Sequence, residues 1–165
     1  MLASAVEKYA FGRMLDMGSG TGIQGIIAAK KGCKVTFSDK NPEAVECSRL
    51  NAKRNGVRGA FVVSDLFSNV KGRFNTIAFD PPYLRSFLIP KRLQDPALHG
   101  GGLRGRGVID RFLADYPGHV LEDHCVLMVE PPWAGWKRDV LKLNAGVVER
   151  KHSLMLGDFV VLKFM

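Results

Sequence analysis

Cysteine is scarce in this 165-residue chain. Cys33, Cys47 and Cys125 have neither the even count nor the spacing of a disulfide framework, the staple on which small secreted domains rely. They sit in apolar or amphipathic runs, which fits a reducing, cytoplasmic interior. Long hydrophobic runs are also missing, since none reaches the roughly 18 residues that a membrane span needs. Met1 to Phe11 carries Glu7 and lacks the order of charge, apolar core and cleavage site that marks a secretory leader. His119, His124 and Cys125 do not match a zinc spacing, while His99 and His152 stand alone, so no metal site is expected. No Ser-His-Asp arrangement, internal repeat or linker is visible. Residues 1–165 are expected to form one domain, and 46% hydrophobic content suffices for a core that buries roughly 70% of the unfolded surface.

The chain does have an excess of positive charge. Lys and Arg number 24 against 16 Asp and Glu, a net charge of +8, which favours attraction to nucleic acid or to an acidic partner. The basic residues are spread out, with Arg104, Arg106 and Arg111 the densest group. Strand and helix signals alternate, as in a parallel sheet covered on both faces. Strands are expected at Met14–Met17, Lys34–Ser38, Ala60–Val63, Thr76–Phe79 and Cys125–Glu130. Helices are expected from Ile23 to Lys31, closed by Gly32, and from the Asn41-Pro42 cap to about Asn55, stopped by Gly56. Two more follow at Val108–Tyr116 and Trp133–Leu143. Gly146–Lys151 and Phe159–Phe164 read as a terminal antiparallel hairpin around Leu156-Gly157-Asp158. The fold expected is therefore α/β, a doubly wound seven-stranded mostly parallel sheet in the order 3-2-1-4-5-7-6. Leu84–Gly105, rich in Pro, Gly and Arg, has the length of a functional lid.

This arrangement places Asp16, Asp39, Asp65 and Asp80 at carboxyl ends of strands, where open α/β sheets bind ligands. Gly18, Gly20 and Gly22, with Ser19 among them, permit a tight turn and close backbone approach between strand and helix. Asp16 inside that loop would repel a phosphate and attract a cationic amino acid group, so S-adenosyl-L-methionine suits the loop better than a dinucleotide. Asp39, followed by Lys40, can accept bonds from two ribose hydroxyls. Asp65 can reach an adenine amino group while Leu66 and Phe67 wall the ring, although a plain solvated strand end is the alternative. Pro131-Pro132 with Trp133 reads as a helix entry and pocket wall.

Asp80-Pro81-Pro82-Tyr83 follows an apolar strand, and the prolyl pair fixes an extended path without amide protons. The Asp80 carboxylate and the Pro81 carbonyl can each take one N–H of an NH₂ group and leave its lone pair free, while Tyr83 packs against a flat amide or base. Asp80, Pro81, Pro82 and Tyr83 are thus the candidate catalytic set for methylation of a planar nitrogen.

The segments Asp16 to Gly22, Asp39, Ser64-Asp65-Leu66-Phe67 and Asp80 to Tyr83 together resemble a Rossmann-like class I S-adenosylmethionine-dependent methyltransferase. Asp95 to Gly102 and Arg104 to Leu113 are similar to the HemK-like family, above all its archaeal and eukaryotic branch. That resemblance implies methylation of the side-chain amide of the glutamine in the Gly-Gly-Gln motif of class I translation release factors. It also implies a small zinc-binding activator protein, which the unguarded apolar edge strand Ala60-Phe61-Val62-Val63 could accept as an added strand. The family usually has Asn where this chain has Asp80, and Asp is commoner in enzymes that methylate amino groups of bases. Nucleic acid therefore stays open as a second target class. The family also has an acidic segment before the first helix that helps close the cofactor site, and this sequence is not expected to contain it.

Overall fold

The computed structural model describes residues 1–82, 106–155 and 157–165. Tyr83, the expected lid Leu84–Gly105 and Leu156 of the expected hairpin turn lie outside the described residues. The described elements run α1 (Leu2–Tyr9), β1 (Arg13–Met17), α2 (Ile23–Lys30), β2 (Lys34–Asp39), α3 (Pro42–Arg54), β3 (Gly59–Val63) and β4 (Phe74–Phe79). Then follow α4 (Gly107–Asp115), a 3-10 turn (Tyr116–His119), β5 (Val120–Glu130), a second 3-10 turn (Pro132–Ala134), α5 (Trp136–Lys142), β6 (Gly146–Ser153) and β7 (Gly157–Phe164). The strands form a seven-stranded sheet in the order β3-β2-β1-β4-β5-β7-β6. The first five pair in parallel and β7 runs antiparallel to both β5 and β6, as the sequence led us to expect.

The central strands are mostly apolar where both of their faces are covered, with Asp16, Thr76 and Glu130 the buried polar exceptions. Successive side chains point to opposite faces, so Ile77 and Phe79 enter one core while Ala78 enters the other. Along β5, Val126 and Met128 alternate with Leu127 and Val129 in the same way. The first core lies under α4, with Ile109 and Phe112 fully buried, and the second takes α1 and α2. Asn41 caps α3 as expected: its side chain accepts the Glu43 N–H at 3.0 Å, and Pro42 occupies the first turn. All three cysteines are free, Cys33 and Cys125 buried, and burial pushes the Cys125 thiol up to about 11. Among the described residues no helix is long and apolar enough to cross a membrane.

Several boundaries differ from the expected ones. Helix α1 is new, because its short apolar stripe of Leu2, Ala5 and Val6 is helical only by packing on the second core. Strand β5 starts at Val120 rather than Cys125, since exposed Glu122 and Asp123 extend it past a register shift between Phe74 and Thr76. The helix expected from Trp133 is split: Gly135 adopts φ +83° and separates the prolyl turn from α5. Trp133 packs edge-on against Phe159 at 5.7 Å, and the Pro131-Pro132-Trp133 segment does not line the main cavity.

Candidate active site

The glycine loop after β1 is fixed by three hydrogen bonds to its surroundings. Ser19 N–H donates to the Ser38 carbonyl at 2.9 Å, Gly20 N–H to Asp39 Oδ2 at 3.0 Å, and Gly25 N–H to Asp16 Oδ2 at 2.9 Å. Gly22 at φ +81° starts α2 in a conformation that side chains disfavour, and an added Cβ there would lie 3.0 Å from that of Ser48. Gly25 and Gly59 leave room for the Phe37 ring, which stacks on Phe61 with centroids 4.8 Å apart. A Gly25→Ala change therefore overpacks this contact and should cost roughly 1–3 kcal/mol. Urea denaturation measures it, and an unchanged midpoint would contradict the packing described.

Asp16 is buried, and burial raises its pKa to about 8; the Gly25 N–H lowers it and the Asp39 charge raises it further. It does not line the cavity, and neither do Ser19 and Gly22, whereas Gly18 and Gly20 do. Asp16 is thus in place to brace the loop from behind. Asp39 lines the cavity and, besides Gly20, takes the Asn41 N–H on Oδ1 at 2.9 Å. Each of its oxygens keeps a further acceptor position. Lys40 lines the cavity beside it.

On the β3 side, Leu66 is held at φ +50°, a strained setting for a side-chain-bearing residue. Ser64 secures it by donating its hydroxyl to the Leu66 carbonyl at 2.8 Å while accepting the Asn69 N–H at 2.9 Å. Asp65 and Leu66 line the cavity, but Phe67 belongs to the core, stacked on Phe112 and His119. The Asp65 carboxylate is paired with Arg111 of α4 at 3.0 Å, a partner that sequence proximity could not reveal. Both side chains are more than half exposed, so this pair adds little stability by itself.

At the end of β4, Asp80, Pro81 and Pro82 line the same cavity, which has a volume of about 700 Å³ and is closed from α4 by Gly107, Val108 and Arg111. Asp80 is accessible through this cavity, yet protein surrounds it on most sides. That enclosure raises its pKa to about 6, with the Met1 amino group drawing it back. At neutral pH it is an anion. The cavity thus joins a glycine loop, a ribose-competent carboxylate, apolar walls of Leu66 and Phe79, and an acceptor beside a prolyl pair. Its size lies within the range of small-molecule and cofactor sites, and it suits a nucleoside carrying a cationic amino acid arm.

Residues 1–91 match the methyltransferase small domain family. The chain belongs to this family. It is an S-adenosylmethionine-dependent N-methyltransferase of the Rossmann-like class I fold. One relative bears the name "Putative protein N5-glutamine methyltransferase" and comes from Methanocaldococcus jannaschii. It is 39% identical over 135 residues, which span 79% of this chain and 68% of the relative. The ribosomal RNA small subunit methyltransferase C of Serratia proteamaculans is 36% identical over 85 residues, covering 50% of this chain and 24% of that protein. Among solved structures, the Pyrococcus abyssi tRNA (uracil-54, C5)-methyltransferase in complex with S-adenosyl-L-homocysteine superposes with a TM-score of 0.60 at 27% identity. That match covers 99% of this chain and 37% of that one.

Two parts of the site escaped the sequence reading. Arg111 looked like one of several basic residues, and the first turn of α4 gave no sign of facing Asp65. The second is a buried cluster of Arg106, Glu130 and Asp139 beside that turn. Among the described residues no group of three or more His, Cys, Asp or Glu could hold a metal.

Proposed function

We propose that this methyltransferase acts on the side-chain amide nitrogen of a glutamine, the one in the Gly-Gly-Gln motif of a class I translation release factor. The observation that carries this reading is the extent of the glutamine-methyltransferase match. It runs through 135 residues and most of both chains, while the ribosomal RNA relative matches over half of this chain and a quarter of its own length. The cavity geometry is compatible with it, since one acceptor at Asp80 suits a single NH₂ group.

When bound, S-adenosylmethionine supplies an electrophilic methyl group on its sulfonium. Asp39 would hold the ribose hydroxyls, Gly18 and Gly20 would let the backbone approach the amino acid arm, and Leu66 would wall the adenine. The Asp80 carboxylate and the Pro81 carbonyl each accept one N–H of the target, which aims the nitrogen lone pair along the transfer axis. Positioning of this kind is worth several kcal/mol of barrier. As the N–C bond forms, the nitrogen sheds one proton, and Asp80 Oδ is the acceptor already bonded to it. Tyr83, outside the described residues, is assigned to the flat face of the amide.

A second reading, methylation of an amino group on a nucleic-acid base, is favoured by Asp80 itself and by the net charge of +8. Labelled cofactor offered in parallel with release factor, histone and RNA separates the two. Release factor should take the label, and lose it when its motif glutamine is replaced by glutamate. Label in RNA alone would overturn the assignment.

We also propose that a small zinc-binding activator adds a strand to β3. Its outer edge pairs with no strand among the described residues, and Arg49 lies over Phe61 at 4.6 Å with Arg58 next to the strand start. Such a basic rim suits an acidic partner. Among the described residues Asn69 covers the last edge carbonyl, that of Val63, at 3.0 Å. In co-expression with such a protein, Phe61→Lys should abolish the heterodimer on size exclusion; an intact heterodimer would rule edge pairing out.

A further inference from the structure

Arg106 is a nearly buried arginine at the entrance to α4, and it reaches four separate pieces of the fold. Its Nη1 bonds Asp139 Oδ2 of α5 at 2.6 Å and the Ala134 carbonyl of the prolyl turn, and lies 3.5 Å from Glu130 Oε2 at the end of β5. Its Nε and Nη2 both bond Asp110 Oδ1, one turn along α4, at 2.9 and 2.7 Å. Glu130 and Asp139 are 0% and 1% exposed.

Stability does not explain such a cluster. Buried ion pairs generally gain no more than a well-packed apolar group of the same volume would, because desolvation offsets the attraction. What a planar guanidinium fork adds is a single geometry, with several acceptors met at fixed angles. Here that geometry belongs to the first turn of α4, whose Gly107, Val108 and Arg111 form one wall of the cofactor cavity and whose Arg111 bridges to Asp65 on the opposite wall. The cluster itself lies behind this wall and touches none of the cavity.

We propose that Arg106 is a positioning residue: by tying α4 to Asp139 and the Ala134 carbonyl, it sets the α4 wall over the Asp65 side of the cofactor cavity and thereby tunes cofactor affinity. Asp110 is the leg of the fork that grips the helix, and Asp139 the leg that grips the scaffold. This rests on the family's cofactor chemistry and on the cavity, and it is independent of which nitrogen is methylated.

The test uses S-adenosylhomocysteine as the probe, so no acceptor is needed. Arg106→Lys keeps the buried positive charge but can serve only one leg at a time. Asp110→Ala removes an exposed carboxylate (side chain 60% exposed) and leaves the buried Arg106–Asp139 pair whole, which guards against simple unfolding. By isothermal titration each variant should bind S-adenosylhomocysteine roughly three- to tenfold more weakly, the effect of about one net hydrogen bond. Hydrogen exchange at the amides of residues 108–111 should quicken in both, while the urea midpoint of Asp110→Ala stays close to that of the wild type. Wild-type affinity in both variants would overturn the proposal. So would weakened binding that merely tracks a fall in the urea midpoint, since that is what a purely structural role produces. Failure of the release-factor assay leaves these outcomes unaffected.

Discussion

Replacing Asp80 by alanine lowers turnover by roughly a hundredfold or more while S-adenosylmethionine binding stays within about twofold, because the lost hydrogen bond matters mainly in the transition state. Steady-state kinetics at saturating cofactor, together with calorimetric titration, check both halves. The pH profile adds a sharper mark. Burial raises the Asp80 pKa to about 6, so the carboxylate that takes up the departing proton is present above that pH and is lost as pH falls through it. Turnover at saturating substrates should therefore show an acid limb near pH 6, a region where a glutamine amide does not titrate. Asp80→Asn keeps an acceptor oxygen without an ionisable group. On a glutamine acceptor it should remain active and show no such limb. Its turnover should fall below that of the wild type, because the departing proton must then leave to water; an inactive Asn variant beside an active wild type would mean that proton uptake by Asp80, and not N–H orientation, carries the effect.

The second large effect is expected at Asp39. Its alanine variant should bind S-adenosylmethionine more weakly by about 1.5–3 kcal/mol, the range for hydrogen bonds to a charged group, which corresponds to roughly a 10- to 150-fold rise in Kd. The structure gives two reasons for the size of the effect. The carboxylate faces the cavity, and it also accepts the N–H groups of Gly20 and Asn41, so its loss frees the glycine loop as well as the ribose. The neighbouring Asp16 supplies an internal control. Part of its raised pKa comes from the Asp39 charge, so the variant should shift the pH dependence of cofactor binding to lower pH. Unchanged affinity would remove the ribose assignment.

The architecture was legible because the strands alternate with helices whose ends are marked by glycine or by Asn41-Pro42, and because the central strands are rich in apolar residues. Helix α1 was not, since eight residues with three buried apolar side chains acquire their helical state from the core beneath them rather than from propensity. The cavity residues named from sequence at strand ends are Gly18, Gly20, Asp39, Lys40, Asp65, Leu66, Asp80, Pro81 and Pro82, and all of them line one space. Their accessibility was not legible. Asp16 was expected as a ligand-facing carboxylate, yet its side chain is turned into the protein and bonded to Gly25, and burial raises its pKa to about 8, which removes the expected charge at neutral pH. Pairings across long stretches of chain were equally hidden: Arg111 meets Asp65 from 46 residues away, and Arg106 meets Asp139 from 33. Neither distance leaves a periodic or local trace that a single sequence could display.

The central claim is that the methyl group arrives on an amide nitrogen presented to Asp80, and the most direct measurement is of where it lands. Release factor labelled with nitrogen-15 in its glutamine side chains, treated with wild-type protein and S-adenosylmethionine, is followed by nitrogen–proton correlation spectroscopy. The account requires the paired NH₂ signals of the motif glutamine to be replaced by a single N–H signal coupled to a methyl group, with Asp80→Ala leaving the pair intact. Persistence of both NH₂ signals under wild-type protein that methylates RNA in the same mixture would contradict it.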